Sequence, residues 1–159
     1  MNIFKIPQMN KKEYDKLINE NYISRIAFNG DSFPYIAPFM YIFDKNEEFL
    51  YFLSTNYGIK IDLIKKNPKV AVEIEKYSND MSNYQFITLQ GRIIEVNDDS
   101  KGEIKEKFIK MINDRKLSNK SLSALGYSPD ESPNALLNEE RILIWKLVDV
   151  DKIVALKNP

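Results

Sequence analysis

The sequence predicts a mainly β (α+β) fold in which six or so antiparallel strands curl into a small closed or nearly closed barrel with peripheral helices. Three observations carry this. Runs rich in Ile, Val, Phe and Tyr, several alternating with polar residues, recur through the first hundred residues and again at the end, separated by short turn signals. A single short helical pattern falls between the third and fourth runs. Pro34 and Pro38 lie within an aromatic and β-branched density that few helices tolerate.

Element by element, "MNKKEYDKLINEN" places Asn10 ahead of Glu13 as a cap-like pair, with Tyr14, Leu17 and Ile18 on one face, predicting a helix over residues 10–20. "YISRIAFNGDSFPYIAPFMYIFDKNEEFLYFLS" gives three strands, turning at "NGDSFP" and "DKNEE". Gly58 to Lys66 reads as a short amphipathic helix, with Ile61, Leu63 and Ile64 inward and Lys65–Lys66 answering the dipole at its end, and Pro68 stops it. "KVAVEIEKY" and "YQFITLQGRIIEV" follow as strands. Ser100 opens "SKGEIKEKFIKMINDR" as an S-x-x-E capping box with Ile104, Phe108, Met111 and Ile112 on one face. Leu117 to Asn138 is loop-like and turn-rich, with room for short helical pieces. "RILIWKLVDVDKIVAL" supplies one or two closing strands.

A chain of 159 residues, 43% hydrophobic and 12% aromatic, is expected to form one domain over residues 1–159 and to bury a proper core. Lys plus Arg and Asp plus Glu both number 23, so no general field attracts nucleic acid or an anionic membrane. No apolar run is long enough to span a bilayer, and the opening residues turn charged too soon for a secretory signal. Cysteine is absent, and a cytoplasmic location is expected. Histidine is absent as well. Ser-His and Cys-His nucleophilic machinery, the common zinc sites and the usual haem ligation are therefore excluded. No metal site is expected, and no catalytic side chain can be named. Any difficult chemistry would fall to a bound cofactor.

The most informative stretch is "YFLSTNYGIKIDLIKKNPKVAVEIE", which sets Ser54, Thr55, Asn56, Gly58 and Lys60 between a strand and a helix. A cap with a solvated turn is the plainer reading. The alternative is a seat for a phosphate, made of strand-end amides, hydroxyls, a helix N-terminus and one mobile positive charge.

Together with "FPYIAPFMYIFD" upstream and "YQFITLQGRIIEV" downstream, this stretch resembles the FMN-binding split barrels related to pyridoxamine 5′-phosphate oxidase. The likeness rests on Pro34, Pro38, Ser54, Lys60, Asn67–Pro68, Val70 and Gly91 and covers residues 10–97. The C-terminal part looks closest to the nitroimidazole-resistance branch. The resemblance implies a six-stranded antiparallel split β-barrel and a homodimer with FMN at the subunit interface. It implies Ser54 and Lys60 as phosphate ligands with Thr55 assisting, and Ala37, Pro38 and Phe39 beneath the isoalloxazine ring. Gln85 would contact the flavin, and Trp145 would sit against the partner's flavin. Three departures stand out. Ile59 replaces a second basic phosphate ligand, for which Arg25 or another basic group would substitute. Leu53 stands where the nitroimidazole-resistance branch often has histidine. The closing segment lacks the arginine-rich substrate motif of vitamin B6 oxidases.

The leading expectation is an FMN-dependent oxidoreductase passing hydride or electrons from a reduced nicotinamide or other donor to a small planar acceptor. Tyr57 or solvent would supply a proton. The alternatives are a non-catalytic, stress-related cofactor holder on the same scaffold and a purely structural dimer. A deazaflavin in place of FMN stays open.

Overall fold

A computed structural model describes residues 3–138, 140 and 142–159. Arg141, the expected first residue of the closing segment, lies outside the described residues. Regular structure begins with α1 (Lys11–Glu20). Its N-terminus is closed by a reciprocal capping box, in which the Glu13 N–H donates to the Asn10 side chain at 2.9 Å and the Asn10 N–H donates to the Glu13 carboxylate at 3.4 Å. Leu17 and Ile18 are its buried residues.

The strands β1 (Ile23–Phe28), β2 (Tyr35–Asp44) and β3 (Phe49–Thr55) precede α2 (Ile59–Lys66). After it come β4 (Lys69–Tyr77), β5 (Tyr84–Glu95), α3 (Ser100–Asp114) and the closing strand β6 (Ile142–Lys157). Two 3-10 segments, Asn119–Leu125 and Pro133–Asn138, occupy the stretch read as loop. Among the described residues the six strands form a closed antiparallel barrel in the order β1-β2-β3-β6-β5-β4. That is the expected architecture, with β4 pairing back to β1 to close it.

Two apolar clusters follow from the alternation of side chains along the strands. One fills the barrel and contains Ile26, Phe28, Phe39, Phe52, Val72 and Ile87. The other lies outside it, where Ile42, Leu53 and Ile144 meet Phe108 and Ile112 of α3 and Leu122 of the first 3-10 segment. Strands that face apolar material on both sides lose the polar half of their alternation, and β3 is buried along almost its whole length.

One local expectation is corrected, and one open alternative is decided. Helix α3 does not start from a Ser100 cap. Ser100 is already helical, Asp99 is the cap residue, and the Asp98 carboxylate accepts the Ser100 N–H at 2.9 Å. The neighbouring aspartate takes the local acceptor role that the serine was expected to fill. The closing segment is one long strand with a bulge opposite Gln90–Arg92, where Asp149 adopts φ 52°. Gly91 sits at this irregularity, and a Cβ there would lie 2.8 Å from the Val148 carbonyl oxygen.

The feature that shapes the site is an incomplete ladder. β2 and β3 pair only from Tyr41↔Phe52 to Asp44↔Phe49. Beyond that point β2 stays zipped to β1, from Ile23↔Met40 to Phe28↔Tyr35, while β3 continues along β6 to Thr55↔Ile142. The two strands part company, and the wall of the barrel opens between them.

Candidate functional site

A cleft of about 250 Å³ lies where β2 and β3 diverge. Ala37, Pro38, Phe39 and Met40 form one wall, Leu53, Ser54 and Thr55 come from β3, Lys60 from α2, and Ser121, Ala124 and Leu125 from the first 3-10 segment. Six of the eight sequence-nominated residues, Ala37, Pro38, Phe39, Ser54, Thr55 and Lys60, are thus brought together.

The backbone explains why β2 can present polar groups there. The Tyr41 N–H donates to the Tyr22 carbonyl at 2.9 Å. Antiparallel pairs alternate between bonded and non-bonded, so Phe39, Ala37 and Tyr35 turn their backbone groups toward β1. Ile36, Pro38 and Met40 turn theirs toward the side that β3 has left. Proline at 38 therefore removes a donor that no strand was going to use.

The turn after β3 is organised around Lys60. Its ammonium donates to the Thr55 hydroxyl at 2.6 Å and to the Tyr57 carbonyl at 2.8 Å, while the Thr55 hydroxyl donates to that same carbonyl at 3.2 Å. Ser54, only 1% exposed, donates to the Thr55 carbonyl at 2.8 Å. Among the described residues no carboxylate lines the cleft or pairs with Lys60, and burial holds its pKa below the ordinary lysine value. Helix α2 starts on Gly58, which has φ 103° and no side chain to cap the first amides. The Ile61 N–H donates to the Gly58 carbonyl at 3.2 Å. The first two amides of α2, those of Ile59 and Lys60, have no intrahelical acceptor and stand beside an ammonium without a carboxylate partner among the described residues. Such a corner favours an anion.

Other nominated residues lie elsewhere. Gln85 is half-buried on β5, opposite Lys76 of β4 and Lys157 of β6, and does not line the cleft. Trp145 is 2% exposed inside the barrel, its ring centroid 5.5 Å from that of Phe39 and 6.0 Å from that of Phe28, so it supports the β2 wall from behind. Arg25 is held at 2.6 Å by Glu75, with Glu73 at 3.8 Å, and is not part of the cleft lining. Ile59 is exposed, and Tyr57 points its ring past the Lys60 ammonium, 5.7 Å from it, with 60% of the residue exposed. Ser121, Ala124 and Leu125 were not among the nominated residues. Their one sequence signal is small residues at three-residue spacing (Ser118, Ser121, Ala124), which a 3-10 helix stacks on one face.

A family model described as pyridoxamine 5′-phosphate oxidase matches residues 10–133. No curated protein matches the chain. Among similar solved structures is a FAD-binding protein from Mesorhizobium loti, 18% identical, with 98% of this chain and 100% of that chain covered and a TM-score of 0.66. A protein named as a candidate 5-nitroimidazole antibiotic resistance protein, from Bacteroides thetaiotaomicron, is 18% identical over 98% of this chain and 91% of that one, with a TM-score of 0.60. General Stress Protein 26 of Bacillus anthracis is 18% identical over 92% of each chain, with a TM-score of 0.62. At these identities the likeness establishes the fold.

Proposed function

Since this chain belongs to the pyridoxamine 5′-phosphate oxidase family, we propose that it is a flavoprotein that binds FMN without a covalent link. As an oxidoreductase it passes hydride or electrons from a reduced nicotinamide or another donor to a small planar acceptor. The observation that carries the reading is the Lys60 ammonium, half-buried without a carboxylate partner among the described residues, at the start of α2 and at the mouth of the cleft.

The residues present suit the cofactor. Lys60, the Thr55 hydroxyl and the first amides of α2 hold the terminal phosphate, with Ser54 fixing the backbone of the turn. Ala37, Pro38 and Phe39 would hold the ring, with the backbone groups of the parted strand available to its polar edge. Leu53 and Met40 would keep water from that face. When bound, FMN supplies the electron chemistry that a chain without histidine or cysteine has no side chain to perform. The proton comes from solvent at the open side. Strand β6 contains no arginine, which supports an acceptor other than a vitamin B6 phosphate.

The cleft opens beside Ile36 and Ile23, 62% and 43% exposed, and a second copy of the chain covering them would complete the site as a homodimer. The proposed location is the cytoplasm, in keeping with a chain that has no cysteine.

The test is the visible spectrum of the purified protein, before and after reconstitution with FMN. Oxidised-flavin bands that bleach with NADPH and return with a nitroaromatic or quinone support the enzyme. Bands that never bleach leave a cofactor holder. A protein that takes up no FMN removes the proposal.

A further inference from the structure

Among the described residues that line the cleft, Ser121 of the first 3-10 segment carries a buried side-chain hydroxyl that bonds nothing in the ligand-free fold. Ser121 Oγ is withdrawn from water and has no hydrogen-bond partner among the described residues. Its backbone is satisfied, since the Ser121 N–H donates to the Ser118 carbonyl at 2.8 Å. A buried hydroxyl without a partner is destabilising, and native structures keep few of them. The fold does not force serine on this position. Ala124, stacked one 3-10 turn further on, lines the same cleft with no polar group at all.

The cleft therefore has two unlike sets of lining residues. One belongs to the parted strand β2, with the backbone polar groups of Ile36, Pro38 and Met40. The other set of lining residues is Ser121, Ala124 and Leu125 of the first 3-10 segment. Small side chains let a flat ring approach closely. A hydroxyl can rotate among its staggered positions and either donate or accept.

Resting on the FMN reading above, we infer that Ser121 is a ligand-binding residue, its hydroxyl bonding an in-plane nitrogen or oxygen at the edge of a flat heteroaromatic ring. The contact is assigned to the ring and not to the phosphate, because Lys60 and Thr55 already supply donors for the phosphate. It makes the first 3-10 segment a selecting wall: rings with a polar edge are held, and purely hydrocarbon rings leave the hydroxyl unsatisfied.

Riboflavin separates the two ends, since it has the ring without the phosphate. In fluorescence titrations of the full chain, Ser121→Ala weakens FMN and riboflavin alike, each about tenfold, the worth of one hydrogen bond. Lys60→Ala weakens FMN and leaves riboflavin nearly unchanged. In thermal unfolding without ligand, Ser121→Ala has a Tm equal to or above wild type, because an unsatisfied hydroxyl has been removed, and its rise in Tm on adding riboflavin is smaller. Wild-type affinity of Ser121→Ala for both ligands overturns the inference. So does a lower Tm of the ligand-free variant, which would make the hydroxyl structural. A wild-type protein that binds neither ligand removes the FMN reading itself, a result distinguished by appearing before any substitution is made.

Discussion

Two helix starts in this molecule solve the same physical problem in opposite ways. At α1 the orphan amides are answered from within: Asn10 and Glu13 bond each other's backbone. At α2 the helix starts on a glycine, no side chain caps it, and a lysine without a carboxylate partner stands over it. One terminus is finished by the sequence and stabilises the fold. The other leaves donors and positive charge at the edge of a cleft, where an outside anion would complete it. A helix start that neglects its own amides is thus informative about ligands, provided the surrounding fold gives a ligand somewhere to sit.

The comparison is broken most sharply at Lys60. Lys60→Ala is expected to weaken FMN binding by about 1–3 kcal/mol, the range for a charge-assisted bond to phosphate. Equilibrium titration measures this, and an unchanged affinity would mean that the open terminus is only a solvated turn. Gly58→Ala comes next. With φ 103° and ψ 174°, the position lies in a region essentially reserved for glycine, and an added Cβ meets only the Lys60 ammonium, at an ordinary 3.5 Å. The penalty is therefore backbone strain, about 1–2 kcal/mol of stability in urea melts. Asn10→Ala should lose about 1 kcal/mol of stability and leave FMN affinity untouched, since neither Asn10 nor Glu13 lines the Lys60 cleft. An effect on binding would show that the two termini are coupled.

The smallest effect is a slope. Burial lowers the Lys60 pKa in the fold, so between that lowered value and the ordinary lysine value the unfolded chain carries more protons than the folded one. Stability of the ligand-free protein therefore gains a small upward contribution as pH rises through that alkaline window, and Lys60→Met abolishes it. Over the same window FMN affinity is expected to fall, because the ammonium proposed to answer the phosphate is lost. Stability curves and titrations at several alkaline pH values read both. Two slopes of the same sign would count against an anion at this corner.

Much of the fold was legible in the residues. Strand alternation, the turns at "NGDSFP" and "DKNEE", the Asn10–Glu13 pair and the Pro68 stop are local signals, and the structure carries each of them. The misplaced start of α3 shows the limit of such signals. In "NDDS" adjacent residues compete for one acceptor role, and Asp98 takes it. The 3-10 segments lack a clear period because Leu122 and Leu136 are buried only through the second apolar surface on the outside of β2, β3 and β6. Arg25 could not be assigned from sequence, since its partner Glu75 comes from β4 and meets it only when the barrel closes.

The sequence by itself determined the repertoire: six strands, three helices, no histidine or cysteine, and a Ser-Thr-x-x-Gly-x-Lys turn leading into a helix. These depend on backbone preference and side-chain chemistry, which act over a few residues. The tertiary structure alone decided that β2 and β3 separate after four pairs. It also decided that Lys60 lines the gap, and that Ser121, from far along the chain, joins the same lining. Strand register around a closed barrel is a collective property, because each ladder constrains the next, and no short stretch of the chain contains it.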